Sequence, residues 1–136
     1  EELYVAKPHV FISNNHPLAN KEEITIQDLM QYPYLVFEQG KHNSFYFSEE
    51  FLSSLEFPKN IMVRDRATLF NLLIGLNGFT VCSGIIDTEL NGENIISKPL
   101  KSDCSMRIGI LTRKNSVISR YGVSYLNVLK NHLLID

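Results

Sequence analysis

An excess of either charge is missing from this 136-residue sequence: 13 Lys and Arg stand against 15 Asp and Glu, a net charge of −2. Nucleic-acid binding needs a clustered surplus of basic side chains to neutralise phosphates, so this segment is not expected to hold DNA by itself. Long apolar runs are also missing. The longest, such as Leu72–Leu76, falls far short of the ~20 residues that a membrane helix requires. Cysteine is scarce. Cys82 and Cys104 form neither a CxxC nor a zinc spacing, which leaves one disulfide or two idle thiols, and the thiol reading implies a reducing, cytoplasmic setting.

Signature motifs of chemistry are absent too. Gly75, Gly78 and Gly84 make no GxGxxG, and Ser83, between Cys82 and Gly84, has no G-x-S-x-G around it. His9 and His16 are seven residues apart with no cysteine or second histidine beside either, a spacing that suits no zinc site. Neither a cofactor, a metal nor an enzyme activity is therefore expected. Glu1-Glu2-Leu3-Tyr4 is acidic, with no apolar stretch behind it, unlike a secretory signal. Glu1 is not an initiator Met, so a fragment of a longer protein is expected.

What is present is an ordinary globular composition, 44% hydrophobic and 21% charged, which excludes wholesale disorder. Apolar runs predict strands at Val10–Ile12, Tyr34–Phe37, Ile61–Val63, Phe79–Cys82, Ile95–Ile96 and Ile108–Leu111. Helices alternate with them. Thr25 caps a short helix with Asp28 three residues on, and Pro33 ends it. Asn43 or Ser44 caps another through about Leu55, with Phe47, Phe51, Leu52 and Leu55 as its apolar face. Asp65 caps the clearest helix: Leu69, Leu72, Leu73 and Leu76 recur at helical spacing as a core stripe, and Asn77-Gly78 stops it. A last amphipathic helix starts near Ser119 and carries Val123, Leu126, Leu129 and Leu133.

This alternation predicts an α/β fold, a three-layer sandwich about a mixed, largely parallel sheet. Such sheets bind ligands where strands feed into helix N-termini. Phe37–Ser44 and Val63–Thr68 both have that form, with polar side chains and free N–H groups where an anion can sit.

The run His16-Pro17-Leu18-Ala19, then Ile24-Thr25-Ile26-Gln27-Asp28-Leu29, then Pro33-Tyr34-Leu35-Val36-Phe37 resembles the second subdomain of the effector-binding domain in LysR-type transcriptional regulators. Leu69–Ser83 is similar to that family's helix-turn-strand, and Lys98-Pro99-Leu100, the 108–111 strand and the last helix follow its closing order. Leu76 stands where the family usually has a glycine, and Ser83 where proline is common. Phe37-Glu38-Gln39-Gly40 with Asn43-Ser44-Phe45-Tyr46, and Asp65-Arg66-Ala67-Thr68, further resemble regulators of sulfur amino acid metabolism from Gram-positive bacteria.

The resemblance implies an incomplete fold like a type II periplasmic binding protein. About 8–95 would form the second subdomain, and about 96–136 the crossover and the C-terminal part of the first. It implies a cytoplasmic ligand sensor, a homo-oligomer (dimer or tetramer), whose DNA contacts come from a winged helix-turn-helix outside these residues.

Its effector, a small metabolite such as an amino acid or sulfur amino acid precursor, would lie in an interdomain cleft against Glu38, Gln39, Gly40, Asn43 and Ser44 on one turn and Arg66, Ala67 and Thr68 on the other. The plainer reading of those residues is a pair of helix caps with exposed charges, and of Asn71 simple exposure. His16 reads as structural, within its turn, and His9 as a residue that can line the cleft. A solute-binding protein of a transporter shares the fold and remains the alternative; an enzyme on the same fold lacks any nucleophile or acid/base pair here.

Overall fold

The computed structural model describes residues 1–38 and 57–133. Its elements run β1 (Glu2–Ala6), β2 (His9–Ser13), α1 (Ile26–Leu29), β3 (Tyr34–Phe37), β4 (Asn60–Val63), α2 (Arg66–Gly75), β5 (Thr80–Cys82), α3 (Thr88–Asn91), β6 (Ile95–Pro99), β7 (Met106–Gly109) and α4 (Arg120–Leu133). They fall into two compact units, Lys7–Cys104, and Glu1–Ala6 with Ser105–Asp136. The helix expected from Asn43 or Ser44 to Leu55 lies outside the described residues.

In the Lys7–Cys104 unit β3 and β4 pair in parallel, and β2 pairs antiparallel with both β5 and β6. A parallel bridge from Tyr34 to Phe79 joins the two groups, supported by Leu35 N–H donating to the Phe79 carbonyl at 2.8 Å. The strands therefore stand in the order β4-β3-β5-β2-β6, four of them pointing one way and β2 the other. The expected mixed, largely parallel sheet is present.

Alternation along each strand builds a core on both faces. One face carries Val10, Ile12, Tyr34, Phe79 and Val81 beneath Leu29 of α1. Tyr34, Phe57 and Phe79 cluster there, with ring centroids 4.9–5.3 Å apart. The other face carries Phe11, Leu35, Val63 and Ile95 beneath Leu69 and Leu73 of α2. Helix, sheet and helix make the three layers.

Local signals set the helix ends. Thr25 and Asp28 close a reciprocal capping box on α1. Asp65 caps α2, accepting from Thr68 N–H. At the other end of α2, Asn77 adopts the left-handed φ of 49°, and Gly78 N–H returns to the Leu73 carbonyl at 3.1 Å, a Schellman-type stop. The core-stripe expectation needs one correction. Leu69 and Leu73 are buried, but Leu76 is 47% exposed, because it is the C-cap, where the chain leaves the helical path (φ −112°).

In the other unit β1 and β7 pair antiparallel with an irregularity between Glu2 and Tyr4. Gly109 lets the strands approach there, since a Cβ would lie 2.6 Å from the Glu1 carbonyl oxygen. Glu2 pairs with Arg107 and Glu1 with Lys130 of α4. The last strand sits two residues earlier than 108–111, and β1 was not expected from the sequence. Ser119 caps α4 by accepting from Gly122 N–H at 3.2 Å. Along α4, Leu126 and Leu129 are half-buried, whereas Val123, Tyr121, Tyr125 and Val128 are exposed; its apolar residues spread over two faces.

Candidate functional site

The parallel pairing of β3 with β4 sets the two predicted turns side by side. Phe37 stands opposite Val63, so Glu38 and Arg64 leave the sheet together, and Glu38 N–H donates to the Val63 carbonyl at 2.8 Å. Arg64 grips the Glu38 carboxylate through Nε, with Nη2 3.4 Å from Oε1. This contact raises the Arg64 pKa. Arg64 is not among the residues expected at the site from sequence. The only available signal was that Arg64-Asp65-Arg66 places two cations around a helix cap.

The α2 N-terminus is already occupied by its own cap. Asp65 accepts from Thr68 N–H at 2.8 Å and from the Thr68 hydroxyl at 2.7 Å, and these bonds, with help from Ala67, hold its carboxyl below the usual range. An incoming anion thus meets a carboxylate at the helix end, and the guanidinium groups beside it become the natural anion partners. Arg66, Ala67 and Thr68 are all exposed, with the Arg66 guanidinium 5.9 Å from the Phe70 ring centroid. Asn71 is exposed. Glu38 is brought to the same end of the sheet, while Gln39, Gly40, Asn43 and Ser44 lie outside the described residues.

The histidines differ. His16 is 3% exposed, and both its nitrogens are partnered: Nε2 with the Asn77 carbonyl at 3.0 Å, and Nδ1 with Leu18 N–H at 3.0 Å. Tyr32 lies against its ring, centroids 4.4 Å apart. It ties the turn after β2 to the end of α2. His9 is half-buried, with Nδ1 3.0 Å from the Lys7 carbonyl oxygen.

Both cysteines are free, Cys82 half-buried and Cys104 exposed. Burial pushes the Cys82 thiol up to about 11, which suits an inert thiol. Among the described residues no group of three His, Cys, Asp or Glu can hold a metal ion, and no helix is long and apolar enough to cross a membrane.

Solved structures share this architecture. HinK, a LysR family transcriptional regulator from Pseudomonas aeruginosa, superposes with a TM-score of 0.67 at 16% identity, over 98% of this chain and 47% of that one. The effector-binding domain of QuiR, solved with shikimate, gives 0.66 at 20% identity over 96% and 63%. The C-terminal domain of a probable LysR family regulator from Rhodococcus sp. RHA1 gives 0.66 at 14% identity over 95% and 65%.

At such identities the likeness is one of fold, and the chain spans about half the length of HinK. No curated protein sequence matches the chain. Residues 1–133 match the family model of the LysR substrate binding domain, nearly the whole sequence, and the chain belongs to that family.

Proposed function

We propose that the chain is the effector-sensing part of a cytoplasmic LysR-type transcriptional regulator, a homo-oligomer whose winged helix-turn-helix lies outside these residues and reads DNA. The observation that carries this reading is the family match over residues 1–133. The −2 charge agrees with it, since the basic DNA-reading surface then belongs to another part of the protein. Its domain organisation would follow the family, with about 8–95 as the second subdomain and about 96–136 as the crossover and the end of the first.

The effector on this reading is a small amino-acid-like metabolite bound beyond the carboxyl ends of β3 and β4. Glu38 takes its ammonium group, with Gln39, Gly40, Asn43 and Ser44 completing that turn. The Arg66 guanidinium takes its carboxylate at the first turn of α2, beside Ala67 and Thr68. The Glu38–Arg64 pair does not obstruct this. Arg64 is 83% exposed, and solvent screens an ion pair so exposed, so an ammonium can displace Arg64 from Glu38 at small cost. Sulfur amino acid precursors are the first ligands to try, on the similarity noted for Glu38–Tyr46 and Asp65–Thr68.

The effector acts by population shift, through its difference in affinity for two arrangements of the domain. In the full-length protein, fluorescence anisotropy with operator DNA and a panel of serine, cysteine and homocysteine derivatives checks this. Glu38→Gln and Thr68→Val should raise the effector concentration for half-response about 10-fold or more, the scale of a hydrogen bond to a charged group. Operator affinity without effector should stay near the parent value. An unchanged effector response in both variants would remove these residues from the site.

A further inference from the structure

His9 belongs to the same end of the sheet as the candidate site. Because β2 runs against its neighbours, its first residue lies where β5 and β6 finish: His9 stands opposite both Cys82 and Pro99. Counting three residues on from the Tyr34–Phe79 bridge sets Phe37 level with Cys82, and Phe37 pairs with Val63. Val63, Phe37, Cys82, His9 and Pro99 therefore form one row across the sheet, a single residue short of Arg64, Glu38 and Ser83. Alternation puts His9 on the face of Phe11, the face that α2 covers. The charge of Arg66 is felt at Cys82, the neighbour of His9 in that row.

Two neighbours hold the imidazole. Gly84 follows β5 with φ +90°, and a Cβ there would lie 2.5 Å from Cγ and Nδ1 of His9. A side chain at 84 would be strained by that backbone and blocked by the ring. Nδ1 itself lies 3.0 Å from the Lys7 carbonyl oxygen. A carbonyl oxygen only accepts, so Nδ1 carries a proton, and in the neutral form of the ring this leaves Nε2 as the acceptor. Nε2 has no partner among the described residues. His16, by contrast, has both nitrogens satisfied. A fixed, half-buried ring with one nitrogen committed and one open is a preorganised acceptor. Covering it with an apolar group leaves an unpaired polar atom, whereas covering it with a donor does not.

We propose that His9 is a specificity-determining residue that accepts a hydrogen bond from a hydroxyl on the effector's side chain, so that the site selects hydroxyl-bearing amino acids over their apolar isosteres. The inference rests on the reading of these strand ends as the effector site. Glu38 follows Phe37 at the end of β3, and two strand spacings, about 10 Å, separate the backbones of β3 and β2. Glu38 takes the ammonium, Arg66 the carboxylate and His9 the hydroxyl, three different groups for three different chemistries.

L-homoserine and L-2-aminobutyrate share a carbon skeleton and differ by one terminal hydroxyl, so calorimetric titration of both into the full-length protein is the test. The parent should bind L-homoserine roughly 3- to 10-fold more tightly, the scale of one net hydrogen bond. His9→Phe keeps a flat ring against Gly84 without the acceptor. His9→Asn keeps a donor for the Lys7 carbonyl but is too short to replace Nε2. Each should level the two affinities, and circular dichroism identifies whichever variant folds. A parent that does not discriminate, or a folded variant that keeps the preference, overturns the role of His9 and leaves the site reading standing. If neither amino acid binds the parent, the site reading fails for this ligand class and the role of His9 fails with it.

Discussion

Single residues here are decided by which hydrogen-bond roles their surroundings leave open. His16 must be neutral: Leu18 N–H can only donate to Nδ1, and the Asn77 carbonyl can only accept from Nε2. Burial lowers its pKa, against a smaller upward pull from Asn77. The sign follows. An unfolded His16 takes a proton as pH falls through about 6.5 while the native one resists, so the unfolded state binds more protons and stability falls with pH. The loss ends once the native site is itself protonated. Urea denaturation at pH 7.5 and pH 5 should therefore show a larger loss for the parent than for His16→Gln, which does not titrate. Parallel losses in the two proteins would mean that His16 does not carry this dependence.

Elements meet in turns whose chemistry was partly visible in advance. The capping box of Thr25 and Asp28 formed as its spacing required, and Lys21 with Thr25 holds the Asp28 carboxyl down to about 2. The stop after α2 was also anticipated, but the labour divides differently within Asn77-Gly78. Asn77 takes the left-handed conformation, while Gly78 is needed for space: a Cβ would lie 2.5 Å from Leu35 Cδ1 and 3.1 Å from the Pro33 carbonyl oxygen. Leu35 is fully buried and has little room to yield. Gly78→Ala should lower unfolding stability by about 1–3 kcal/mol, the usual cost of overpacking. No measurable loss in chemical denaturation would show that Leu35 can turn aside.

For the molecule as a whole, the Lys7–Cys104 unit is organised around a sheet with a core on each face, and Cys82 reports on one of them. Leu73 is fully buried beneath α2 on the face where Cys82 packs. Leu73→Ala should cost about 2–5 kcal/mol and speed reaction of Cys82 with a thiol reagent, because opening exposes a thiol that burial otherwise protects. Cys104 is already exposed, so its labelling should be fast in both proteins. A Leu73→Ala protein that labels Cys82 no faster than the parent would mean that this face opens independently of α2.

The sequence by itself determined the elements whose signals are local. Strands at Val10–Ile12 and Tyr34–Phe37, the caps at Thr25 and Asp65 and the α2 stop need only short-range sterics and hydrogen bonds, and they fell where expected. Strand β1 was not, because its pairing with β7 spans the length of the chain and its exposed residues carry no alternation. Exposure of Leu76 was hidden because helical spacing does not say where the helix gives way to its cap.

Only the tertiary structure decided that Arg64 meets Glu38 and that His9 shares a register row with Phe37. Each of these depends on which strands become neighbours and in what direction. Pairing across a sheet is a long-range choice that no window of sequence contains.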